Sequence, residues 1–240
     1  MRRSIIGLFL GAVMAAAVTP ASAYDAYDPA NYNGAEQDKA LTILVAKVTA
    51  APRVNFVKSP YDDDFTAASC PAATDACRKT SYLVTGDLVL VGKTRDAFTC
   101  VTYQSASGRK PVFTSGWLPS AALAPVKPMA EPRTEDWLGS WDQHYAGVDI
   151  KRGGNGGRLK ISGEAAFKGA QDVHTGVLEA QVIPGKDSIA FVDDGSEPFE
   201  TTSDSGCRVR MQRIGPWLVV VDNGECGGAG VTFEGFYRRK

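Results

Sequence analysis

Five cysteines (Cys70, Cys77, Cys100, Cys207 and Cys226) and two histidines (His144 and His174) carry most of the reactive chemistry in this chain. Thiols can ligate zinc, act as nucleophiles or cross-link, and their spacing decides among these roles. A tetrahedral zinc site needs close Cys or His pairs, and no CxxC occurs. Ser-His-Asp and Cys-His sites need a histidine base, and neither histidine sits in a recognisable nucleophile motif. Cross-linking remains, the role such cysteines take where a chain is exported. Cys207 and Cys226 flank "CRVRMQRIGPWLVVVDNGEC", which reads as a hairpin turning near Ile214-Gly215-Pro216. They are the only two cysteines in that half of the chain, so they pair with each other. Closing a loop of about 20 residues stabilises by roughly 3 kcal/mol in the chain-entropy model. The glycines of "CGGAG" then provide a turn that bulky side chains could not follow, so this stretch reads as a covalent seam before it reads as an active-site lip.

The remaining polar motifs are weaker. Asp62, Asp63 and Asp64 could hold a hard cation, but they lack the glycine and distal glutamate of a calcium loop and read as a solvated turn. "KRGGNGGRLKISG" lacks the Gly-Lys-Ser/Thr ending of a phosphate loop and reads as a hairpin turn. Glu164 and Glu234 offer carboxylates for a hydrolase, with no spacing that singles them out. Asp222 and Asn223 stand at a strand end with spare acceptors, for a ligand or for the turn's own backbone. No catalytic residue, metal or cofactor is expected.

The amino terminus, "MRRSIIGLFLGAVMAAAVTPASA", has the parts of a secretory signal over residues 1–23: Arg2 and Arg3, an apolar run, and Ala21-Ser22-Ala23 for cleavage. The whole chain has 26 basic and 27 acidic residues. Losing Arg2 and Arg3 with the signal leaves a net charge of about −3. That balance argues against a dedicated nucleic-acid or membrane-surface binder, which would need a basic excess. No later segment is long and apolar enough to insert in a membrane.

"APVKPMAEPRTED", residues 124–136, carries Pro125, Pro128 and Pro132 and reads as an extended linker. It divides the mature chain into residues 24–123 and 137–240, with an exposed point for proteolysis between them. In the first part, Leu41, Leu44, Val45 and Val48 have helical spacing, although their β-branched content leaves a strand open. Five short alternating runs follow: "RVNFV", "SYLV", "LVLVGK", "FTCVTY" and "TSGWL". In "FTCVTY", Val101 shares one face with Thr99 and Tyr103, and Cys100 shares the other with Phe98 and Thr102. If Val101 faces the core, Cys100 can meet a cysteine of the long loop 59–78. Cys77–Cys100 is the preferred pairing and Cys70–Cys77 its rival, and sequence alone leaves both open. Tyr82, Phe98 and Trp117 either line a ligand groove or pack as core.

In the second part, "GVDIKR", "GRLKISGEA", "HTGVLEAQV", "DSIAFVDD", "CRVRMQR" and "PWLVVVDN" run between an opening "DWLGSWD" and a closing "FEGFYRR". Val148/Ile150, Leu159/Ile161, Cys207/Val209/Met211 and Val231/Phe233 alternate with polar residues, as in strands with one wet face. About eight such runs predict an up-and-down barrel. Residues 193–206 read as an acidic surface loop. Facing it, Arg208, Arg210, Arg238, Arg239 and Lys240 read as an outward basic cluster, for pairing with that loop or for an acidic partner.

"SYLVTGDLVLVGKTRDAFTCVTY" with "TSGWLPSAAL" resembles the bacterial SH3-like family over about residues 53–123. That resemblance implies a binding module of cell-envelope proteins, for peptides or wall fragments. The "GSW" and "GFY" ends of the second part resemble those of lipocalin-like barrels. Its tail is also similar to that of exported bacterial barrels ending in "DNxxCGGxxVxFxGxYxR", which have no assigned activity. The expectation is therefore an all-β chain: an SH3-like barrel followed by an up-and-down, lipocalin-like barrel. It would work in the periplasm or outside the cell as a non-catalytic binder of a peptide, wall fragment or protein partner, including inhibition of a wall-degrading enzyme. The alternatives are a carrier of a small apolar ligand in the second barrel and an envelope hydrolase. Intact mass of the exported protein should correspond to a chain beginning at Tyr24. A product retaining residues 1–23 would remove the periplasmic expectation.

Overall fold

Alternating apolar and polar residues become strands along nearly the whole chain. The computed structural model describes residues 40–59, 69–105, 113–154, 156–169, 171–193, 199 and 206–240. The signal segment, Asp62–Asp64 and most of the acidic loop 193–206 lie outside these residues. Seven strands form the first sheet: β1 (Val45–Val48), β2 (Arg53–Val57), β3 (Arg78–Val84), β4 (Leu88–Arg95), β5 (Phe98–Gln104), β6 (Phe113–Pro119) and β7 (Leu123–Val126). Their order is β3-β2-β6-β5-β4-β1-β7, a curled half-barrel. A short helix, α1 (Thr134–Trp137), leads into eight more strands: β8 (Gly139–Gln143), β9 (Ala146–Arg152), β10 (Leu159–Lys168), β11 (Val173–Val182), β12 (Ser188–Val192), β13 (Arg208–Ile214), β14 (Trp217–Asp222) and β15 (Gly235–Arg239). They form a nearly closed up-and-down barrel in which the first and last strands pair, Asp142 opposite Arg238 and Trp141 opposite Arg239. Among the described residues no helix is long and apolar enough to cross a membrane.

The segment with helical spacing, residues 41–48, is a correction: it runs extended into β1, between β4 and β7. Val45 points to one cluster of buried side chains while Ala46 and Val48 point to another. A strand can bury both faces in this way, whereas a short helix buries one stripe. The proline-rich stretch 124–136 likewise differs from a free linker. Residues 124–126 belong to β7, the Met129 N–H donates to the Arg213 carbonyl at 2.7 Å, and residues 134–136 open α1. Pro125 stands on an edge strand, where a sheet tolerates a missing N–H.

The two units share a core. Leu41, Ile43, Val45 and Leu90 of the first pack with Ile214, Val219, Val221 and Phe236 of the second. Strand β14 is therefore buried on both faces, with Leu218 and Val220 inside the barrel and Val219 and Val221 under the first unit. A polar bridge adds to this contact. The Gln104 side chain of β5 donates to Gln143 Oε1 on β8 and accepts from the Phe236 N–H on β15, each at 2.9 Å. The bridge stands where the β8–β15 ladder has run out. Gly235 makes room for it, because a Cβ there would lie 2.6 Å from Gln104 Oε1.

The barrel interior is filled by Trp141, Phe233, Tyr237, Met211 and Ile161 among others. One end is stoppered by Trp137 of α1, whose carbonyl accepts from Trp141 Nε1 at 2.8 Å. Arg213 and Arg239 donate to the Asp136 carbonyl and lie 4.3 and 4.7 Å over the Trp141 ring. Burial first, then the charge of Arg239, holds the Arg213 guanidinium below its ordinary pKa. The other end is closed by the Cys207–Cys226 disulfide and the loop behind it. Strands β11 and β12 end the sheet and share no ladder. Asp193 Oδ1, just past β12, accepts from the Glu179 N–H of β11 at 2.6 Å, and the Gly228 N–H of the disulfide loop donates to the Thr175 carbonyl of β11 at 3.2 Å. A Cβ on Gly176 would lie 2.1 Å from the Cys226 carbonyl oxygen, so only glycine lets the disulfide loop press against β11. The stretch is a seam. Urea denaturation should show a loss of about 2–5 kcal/mol for Cys226→Ser and at least about 1–3 kcal/mol for Gly176→Ala. Two variants of unchanged stability would mean the loop closes nothing.

Candidate functional site

The aromatic residues read as a groove do not form one. Cys100 and Trp117 are register partners on β5 and β6, and with Phe98 they lie buried beneath the loop that carries Cys70 and Cys77. Phe98 and Trp117 are core, although Trp117 Nε1 has no hydrogen-bond partner there. Tyr82 alone is open to solvent, 49% exposed, with the Arg53 guanidinium 4.7 Å over its ring. The strand parity is as expected, with Val101 in the opposite cluster from Cys100. The pairing is corrected: the disulfide joins Cys70 to Cys77, and Cys100 is a buried cysteine outside both disulfides. Cys70 and Cys77 are seven residues apart, and the 3-10 helix Asp75–Cys77 ends on Cys77, so they meet locally, while Cys100 packs against the result.

Asp222 and Asn223 are both engaged by the turn. Asp222 is buried and accepts from the Gly224 N–H, the Thr232 hydroxyl and the Phe233 N–H. Asn223 Oδ1 accepts from the N–H groups of Arg208 and Glu225, and its Nδ2 donates to the Gly206 carbonyl. Glu164 is exposed on β10 and Glu234 is half-buried just before β15. His174 Nε2 is 3.2 Å from Asp172 Oδ1, and its ring packs against Gly228 of the disulfide loop. His144 meets the Tyr145 ring edge-on. Among the described residues, no three Cys, His, Asp or Glu gather as metal ligands.

The basic cluster does not face outward as one surface. Arg208 is buried, lies over the Phe199 ring and donates to the Phe199 carbonyl. Arg210 shares that ring and donates to the Ala40 carbonyl and the Ser188 hydroxyl. Arg239 is held at α1, and Lys240 pairs with Asp142 at 3.1 Å. Arg238 stacks on Trp217, 4.6 Å from its centroid.

Only the structure shows a cleft, of about 530 Å³, at the margin of the contact between the two units. The first unit contributes Asp87, Leu88, Tyr103 and Gln104, and the second contributes Asp142, Trp217, Phe236 and Arg238 among others. Trp217 and Phe236 meet edge to face at 6.1 Å, making one apolar wall. The Gln104–Gln143 bridge also belongs to the lining. Burial first, then the Asp87 carboxylate, raises the Tyr103 phenol above its ordinary pKa, so it stays a proton donor. Asp87 Oδ2 accepts from the Val84 N–H at 2.8 Å, which holds the carboxylate at the rim. Sequence reasoning missed Tyr103, Gln104, Trp217 and Arg238 as a group because they come from strands far apart in the chain. Comparison with family models, characterised proteins and solved structures finds no match to this chain.

Burial of Cys100 beneath the Cys70–Cys77 loop has a direct chemical consequence. With both disulfides formed, one thiol should react with iodoacetamide only after denaturation, and peptide mapping should place the label on Cys100. Label on Cys70 would restore the Cys77–Cys100 pairing.

Proposed function

We propose that the chain is an exported, non-catalytic binding protein of the bacterial envelope that holds a peptide or wall fragment between its two units. The observation that carries this reading is the cleft. An aromatic wall of Trp217 and Phe236 stands among charged and polar lining residues, including Asp87, Gln104, Asp142 and Arg238, a make-up that suits a polar ligand with one apolar face. The SH3-like resemblance of residues 53–123 agrees with it, although the face used is the one turned toward the second barrel. Export is supported by the signal-like residues 1–23 and by two disulfides, which persist in oxidising compartments. Carriage of an apolar ligand inside the lipocalin-like barrel is disfavoured, because Trp141, Phe233 and Tyr237 occupy that interior. Hydrolysis in the cleft is disfavoured because Glu234 stands in the loop before β15 and Glu164 lines a separate pocket of about 350 Å³ on the barrel, with neither in the cleft lining.

The test is retention of mature protein on purified peptidoglycan and on immobilised lysozyme. Wall retention should fall at least tenfold in Trp217→Ala and stay within twofold in Tyr82→Ala. Loss with Tyr82→Ala alone would move the site to the outer face of the first unit. Retention by lysozyme but not by wall material would favour inhibition of a wall-degrading enzyme.

A further inference from the structure

Resting on the cleft as the binding site, we infer that Arg238 is its anchor for a carboxylate, and that the ligand class is a small monoanionic fragment ending in a free carboxylate. Most charges around the cleft are already engaged. Arg239 donates to the Glu135 and Asp136 carbonyls, and Lys240 pairs with Asp142. Of the two carboxylates in the lining, Asp87 accepts from the Val84 N–H and Asp142 has Lys240. Asp142 stands opposite Arg238 in register, and its ion-pair partner is nevertheless Lys240. Arg238 is exposed and lies over the Trp217 ring, and among the described residues no carboxylate forms an ion pair with it.

A guanidinium lying over an indole can still turn an N–H edge to a partner, and such an edge matches the two oxygens of a carboxylate. Trp217 is itself fixed by Phe236, so the guanidinium rests on a supported surface. The lining holds three cations, Arg238, Arg239 and Lys240, against two anions, Asp87 and Asp142. That surplus suits one negative charge. A phosphate dianion would meet two fixed carboxylates in the same cleft, whereas a monoanion with N–H or O–H groups can donate to them. The Tyr103 phenol, kept protonated, adds a donor on the opposite wall. A peptide C-terminus and an acidic sugar both fit this chemistry.

The test is calorimetric titration of the mature protein with acetyl-trialanine as the free acid and as its amide, and with an N-acetylmuramic acid disaccharide as the free acid and as its methyl ester. At least one acid should bind about tenfold or more tightly than its neutral counterpart, and the pair that discriminates identifies the source of the carboxylate. In Arg238→Gln the preference should shrink to within about twofold, with an unchanged thermal midpoint showing that the fold survives. Arg238→Lys should keep part of the preference, since the charge remains and the planar edge is lost. Equal binding of acid and neutral forms, a preference that persists in Arg238→Gln, or no binding of either acid would overturn the inference. If wall retention still depended on Trp217 in those cases, the cleft reading would stand and only the carboxylate anchor would fall. If retention were also indifferent to Trp217, the cleft reading would fall with it.

Discussion

The outer face of β13, β14 and β15 carries Ile214, Val219, Val221 and Phe236, an apolar surface that a barrel cannot leave in water. Fully burying a side chain of this size contributes about 1.5–3 kcal/mol, so four of them approach the whole net stability of an ordinary domain. The first unit supplies the cover with Leu41, Ile43, Val45 and Leu90. Several other features follow from that contact. Residues 41–48 must be extended to reach it from β1, and the stretch after β7 must be tied down along the way, as its bond to Arg213 shows. The chain consists of two sheets joined through a common core.

Gln104 gives the same contact a direction. Its carboxamide lies where β8 and β15 stop pairing and satisfies one group on each strand. An unpaired backbone N–H beside an apolar contact would cost free energy, so the first unit completes the second barrel's hydrogen bonding while covering its face. It also sets the cleft between two bodies that cannot easily slide. A ligand held there would meet side chains from strands of both units without having to order them first, which lowers the cost of binding.

The basic residues near the C-terminus show how packing assigns charge. Six cations between residues 208 and 240 would make an anion-binding face if all pointed to water. Instead Arg208 and Arg210 clasp Phe199, Arg213 and Arg239 clasp Trp141, and Lys240 pairs with Asp142. Stacking on rings lets a guanidinium be buried while its N–H groups reach carbonyls. Arg238 is left on the rim above Trp217. Its distinct position comes from the neighbours of each strand position, which differ although the residue type repeats.

Much of the architecture was legible in the residues themselves. Period-two alternation marked strands such as β9, β10 and β13, because a strand with one wet face must write its burial into its sequence. The Cys207–Cys226 pair needed no choice of partner and formed as expected. Other features depended on contacts between distant segments. Whether Cys77 joined Cys70 or Cys100 was a question of which sulfur the loop brought nearer. Residues 41–48 satisfied helical spacing and strand propensity together, and only the two clusters they bury on opposite faces decided between them. The run "LVVV" in β14 did carry a signal, since a strand apolar at consecutive positions is buried on both sides. What covered it, and hence where a cleft could open, lay more than a hundred residues away. A sequence by itself determines how each segment partitions between water and core; which segments meet there is decided by the tertiary structure, because burial is a property of pairs of surfaces.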